Sequence, residues 1–155
     1  MNGEERQRIS KIVEAAIDQL LERDSELLIL DVNERSVTHK LAEYLQQGFP
    51  DWNVDCEYNR NHDNPKTLAV QAEGVSTDDT QARTVFPDII VHERNTGDNF
   101  LVIEVKKSTN GRRDAFDLLK LRGFKEQLGY RHAIFLKLRT GVAPPGVEVY
   151  RWVEG

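Results

Sequence analysis

Asp88, Glu104 and Lys106 carry the strongest chemical signal in this chain. Asp88 sits in the string Phe86-Pro87-Asp88-Ile89-Ile90-Val91, and the other two in Phe100-Leu101-Val102-Ile103-Glu104-Val105-Lys106-Lys107. Glu104 and Lys106 are two apart in an apolar run, so on a strand their side chains leave by the same face. Charges at such positions are costly unless they have a partner or a purpose. Residues 93–99, Glu-Arg-Asn-Thr-Gly-Asp-Asn, are rich in turn formers and join the two runs as an antiparallel hairpin. With the turn centred near Thr96, residues whose numbers sum to about 192 face each other, and Asp88 falls opposite Glu104 with Cβ atoms about 4.5–5.5 Å apart.

Two adjacent carboxylates repel each other, and a divalent cation between them removes that cost. Oxygen ligation by Asp88, Glu104, the Val105 backbone carbonyl and water suits Mg²⁺, for which Mn²⁺ can substitute. Lys106 beside that ion would orient or deprotonate an attacking water and balance charge developing on a phosphate. Phosphodiester hydrolysis needs a Lewis acid, an activated water and positive charge at the phosphate.

The elements that must position these groups follow from periodicity. Residues 4–22 carry Ile9, Ile12, Val13, Ala16, Ile17, Leu20 and Leu21 at helical spacing, an amphipathic helix within an N-terminal extension over 1–33. A second helix is expected from Glu34 to about Gln47, with Asn33 as N-cap and Gly48 as stop. Glu34 lies on its apolar stripe with Val37 and Leu41, where a carboxylate needs a partner. Residues 52–58 alternate as a half-buried strand, with Cys56 on the apolar face as a small core residue. Residues 59–83 read as a long polar loop. Both hairpin strands, 85–92 and 100–106, are apolar on both faces and should be covered on both. A helix over 113–128 with Phe116, Leu119 and Leu128 buried, and strands over 132–138 and 147–152, complete one domain spanning 1–155. The fold class is α/β, a mixed sheet flanked by helices.

The strings around Asp88 and Glu104-Val105-Lys106 resemble the motif of the PD-(D/E)XK nuclease superfamily. That resemblance implies a restriction-endonuclease-like core, metal ligation by Asp88 and Glu104, and a catalytic role for Lys106. Glu34 resembles the upstream helical glutamate of many members and would join the metal site. Gln127-Leu128-Gly129-Tyr130 departs in spacing from the Gln-x-x-x-Tyr pattern of one subgroup. The implied protein is a Mg²⁺-dependent nuclease, with DNA the expected substrate. The alternative is a catalytically inactive module of that fold, binding nucleic acid or protein.

Charge and composition bound these readings. The net charge is −5, but residues 1–103 hold 20 acidic and 10 basic side chains while residues 104–139 hold 4 and 10. A basic C-terminal third could hold a polyanion against one face. Arg60, Lys107, Arg112, Arg113 and Lys120 are the candidate nucleic-acid contacts. His39, His62, His92 and His132 have no metal-ligand spacing, and no Gly-rich phosphate loop is present. One cysteine, no apolar leader and no long apolar run point to a cytoplasmic protein without a membrane span. Cutting both strands of a duplex takes two centres, so a homodimer is expected, with the helix over 4–22 as its contact.

Overall fold

The computed structural model describes residues 3–58, 67–70, 81–84 and 86–155, with the backbone alone for 67–70 and 81–84. Three helices come first: α1 (Gly3–Arg23), the short α2 (Ser25–Ile29) and α3 (Glu34–Gly48). Strands β1 (Asn53–Cys56), β2 (Thr67–Val70), β3 (Gln81–Thr84), β4 (Ile89–His92) and β5 (Asn99–Lys107) follow. Helix α4 (Asp114–Leu128) leads to β6 (His132–Arg139) and β7 (Gly146–Trp152). The main sheet has the order β1-β4-β5-β6-β7. Its β5–β6 pair is parallel and the others antiparallel, so the sheet is mixed. The parallel pair needs a long crossover, which α4 supplies. The expected α/β architecture, a mixed sheet flanked by helices, is present.

Local chemistry explains the element ends. Asn33 is extended and its side chain accepts from the Ser36 amide at 2.8 Å, capping α3 as expected. Gly48 is the last residue of α3, and a Cβ there would meet Ile12 Cγ2 at 2.3 Å; it permits close approach of α1 as well as ending the helix. Gly129 closes α4 at φ 71°, where a side chain would be strained. Asn95 adopts φ 62° in the β4–β5 turn, a conformation asparagine tolerates.

The sheet has an apolar layer on each face. Ile9, Val13, Ile17 and Leu20 of α1 and Val37, Leu41 and Leu45 of α3 cover Ile89, Leu101, Ile103, Val105 and Leu136. Leu121 and Phe124 of α4 cover Ile90, Val102, Ala133 and Phe135 on the other face. The α1 stripe is therefore buried against its own chain.

Several expectations shift. The strand expected over 85–92 begins at Ile89, and Val85 lies outside the described residues. The polar loop contains the paired strands β2 and β3, with β2 against α4. The buried residues of α4 are Asp117, Leu121, Gly123 and Phe124, whereas Phe116 is exposed and Leu119 and Leu128 are only partly covered. Leu residues at 118, 119, 121 and 128 leave the stripe ambiguous in sequence, and packing selects the face through Asp117. Cys56 is exposed rather than core, because β1 is an edge strand and its end lies open. Among the described residues, no helix is long and apolar enough to cross a membrane.

Candidate active site

Where β4 begins decides the geometry. The pairs Ile89↔Ile103, Ile90↔Val102 and Val91↔Leu101 obey the register expected from the turn, and a bulge follows at Val91/His92. Asp88 thus stands one step beyond the end of the ladder, opposite Glu104. From there onward, among the described residues, the β5 edge has no strand beside it, and side chains take over its amides. Asp88 Oδ2 accepts from the Val105 amide at 2.7 Å, and Glu34 Oε2 accepts from the Lys107 amide at 3.0 Å. Asn110 Nδ2 also donates to Glu34 Oε2, at 2.8 Å. The N–H and C=O of one strand residue leave by the same edge, so the Val105 carbonyl opens between these two carboxylates. Asp88 Oδ1 and Glu34 Oε1 carry no hydrogen bond among the described residues.

Glu104 approaches from the α4 face of β5 and is 1% exposed. Its Oε2 accepts from the Asp88 amide at 2.9 Å, and its Oε1 from Lys120 Nζ at 2.9 Å. Burial, then the neighbouring Glu104, pushes the Asp88 carboxyl up to about 8. Burial likewise raises Glu104, against the opposing pull of Lys120. The Glu104 charge makes Asp88 harder to ionise, a cost that a cation would relieve.

A cleft of about 600 Å³ opens onto Asp88 and is lined by Asn33, Glu34, Arg35, Thr38, Cys56 and Glu57 among others. Arg35 and Glu57 pair in its wall at 3.2 Å. The Cys56 thiol is pushed up to about 11, first by burial and then by Asp55, Asp88 and Glu57, so it is no nucleophile.

The groups at this edge are of the type a hard divalent cation prefers. Their donors are all oxygen, and Mg²⁺ is commonly held by one or two carboxylates with water completing the shell. Among the described residues no three Asp, Glu, His or Cys side chains close on a single point as they stand, so the groups line an open edge.

Lys106 is the expected site residue that the structure places elsewhere. It shares the α4 face with Glu104, but its ammonium donates to Asp114 Oδ1 at 2.8 Å and to the Arg112 carbonyl, with Asp117 Oδ2 at 3.8 Å. The physical reason is the polar inner face of α4, which offers Asp114 and the buried Asp117 directly above it. Lys107 leaves by the other face, as expected, and its Nζ is held by Asp31 and the Val32 carbonyl at 3.2 and 3.0 Å rather than standing free for phosphate. Arg112 pairs with Asp117 at 3.1 Å. Arg113 is exposed at the start of α4. Arg60 lies outside the described residues. The remaining candidate contact, Lys120, lies at the carboxylates themselves. The signal for it was Asp117, Leu121 and Phe124 at helical spacing, which turns Lys120 toward the sheet.

The chain matches no protein-family model, no curated protein and no solved structure.

Proposed function

We propose that this protein is a Mg²⁺-dependent nuclease, with DNA as the favoured substrate and a PD-(D/E)XK-like site. The observation that carries the reading is the juxtaposition of Asp88 and Glu104 at the strand edge: the Asp88 amide donates to Glu104 Oε2 at 2.9 Å, and burial together with the Glu104 charge raises the Asp88 carboxyl. Asp88, Glu104, the Val105 carbonyl and Glu34 would hold the ion. Bound there, Mg²⁺ would supply Lewis acidity to a phosphate oxygen and make water a better nucleophile.

The chain's own groups supply the rest. The Val105 and Lys107 amides fix Asp88 and Glu34, so each carboxylate keeps one oxygen toward the cleft. Glu34, Glu57 and Asp88 make that cleft acidic, so a polyanion is drawn there only once a cation is present. In hydrolysis a water oxygen forms the new P–O bond and the P–O bond to the leaving sugar oxygen breaks. The leaving oxygen takes the electron pair, and the water's proton passes to it through solvent.

A second reading, a module that binds without cutting, is favoured by one contact: Lys120 satisfies Glu104 with no metal needed. Purified protein incubated with plasmid, linear and single-stranded DNA and with RNA, in Mg²⁺, Mn²⁺ or EDTA, separates the two. Metal-dependent cleavage that Asp88→Ala abolishes supports the nuclease; binding without cleavage on every substrate supports the module. Sedimentation of the active species tests the expected homodimer.

A further inference from the structure

The two lysines that share the α4 face of β5 differ in what their ammonium groups still have to offer. A lysine ammonium has three N–H donors. Lys106, 1% exposed, meets three acceptors: Asp114 Oδ1, the Arg112 carbonyl and, more distantly, Asp117 Oδ2. Lys120, 27% exposed, donates to Glu104 Oε1 and to the Phe86 carbonyl, both at 2.9 Å. Among the described residues nothing takes its third donor. Phe86 lies two residues before Asp88, so these two bonds pin the ammonium beside both carboxylates. Freeing Lys106 would break its bond to Asp114 and leave the buried Asp117 with Arg112 alone.

We infer that Lys120, carried by α4 rather than by the Glu104 strand, is the lysine that contacts the scissile phosphate. This rests on the nuclease reading above. The ammonium keeps its proton throughout: its third N–H donates to a non-bridging phosphate oxygen whose negative charge grows as water attacks. Without metal, the same ammonium neutralises Glu104; when a cation takes Glu104, Lys120 is a competing positive charge and a neighbour of the substrate at once. Helical placement also fixes its approach, since Asp117 and Phe124, one turn to either side, are buried.

Lys120→Met tests this with two readouts. Cleavage in Mg²⁺ should fall by about 10²–10³-fold, the usual loss for one positioned donor at a reacting oxygen. Mn²⁺ binding, followed by melting temperature with no substrate present, should tighten on the order of tenfold, since a like charge beside the ion is gone. Arg122→Met, exposed on the same helix, should change neither. A Lys120→Met protein that cuts as fast as wild type, or whose Mn²⁺ stabilisation is equal to or below that of wild type, overturns the assignment. Wild type that cuts while Lys120→Met cuts equally fast ends this inference alone. Wild type that neither cuts nor gains stability from Mn²⁺ ends the nuclease reading and this one together.

Discussion

Replacing Asp88 by asparagine should stabilise the metal-free protein at alkaline pH. Asp88 is held near 8 in the folded chain and near 3.8 when unfolded. The folded state therefore binds the proton more tightly. The stability this contributes is complete below pH 3.8 and is lost as pH rises to about 8. Each pH unit in that window costs about 1.4 kcal/mol, so the whole window costs at most about 6 kcal/mol, part of it shared with Glu104. Asparagine is neutral throughout, and its side-chain oxygen can still accept from the Val105 amide. Asp88→Asn should therefore melt only a few degrees above wild type at pH 5 and further above it at pH 8, by on the order of 10 °C for a chain of this size. Millimolar Mn²⁺ should reverse the order, because only wild type gains from the cation. Thermal melts at both pH values, with EDTA and with Mn²⁺, make the assay. A variant that melts below wild type at pH 8 in EDTA, or a gap that does not widen between pH 5 and pH 8, refutes the cost assigned to ionising Asp88 beside Glu104.

Other perturbations follow from the same contacts. Glu34→Gln should weaken Mn²⁺ stabilisation without removing it, since its Oε1 faces the cleft beside the main pair; an undiminished shift in the melt places Glu34 outside the ion's reach. Lys106→Met should destabilise the fold by about 1–3 kcal/mol, because Asp114 and the Arg112 carbonyl lose their donor while Asp117 keeps Arg112; urea unfolding that shows no loss contradicts the role given to Lys106. Asn33→Ala should cost about 1 kcal/mol through loss of the α3 cap, read from the same urea curves.

Much of this site was legible in the chain itself. Alternation and turn composition placed Asp88 opposite Glu104, because side-chain period and turn centre together fix a hairpin's register. The Asn33 cap, the α1 and α3 stripes and the opposite facing of Lys106 and Lys107 were likewise local, set by the 3.6- and 2-residue periods. Glu34 was conspicuous as a carboxylate on an apolar stripe, and it does lie on the β5 edge, with Lys107 and Asn110 as partners more than seventy residues away. Tertiary structure alone decided the rest. Whether Lys106 or Lys120 meets Glu104 depends on how α4 is rotated over the sheet. That rotation is set by Leu121 and Phe124 packing on Ile90, Val102 and Phe135. The α1 stripe makes the same point: an apolar stripe states that a face must be covered but not by what, and here the covering surface is the chain's own sheet. Periodicity is written locally, whereas the partner of a charge is chosen by the packing of elements distant in sequence.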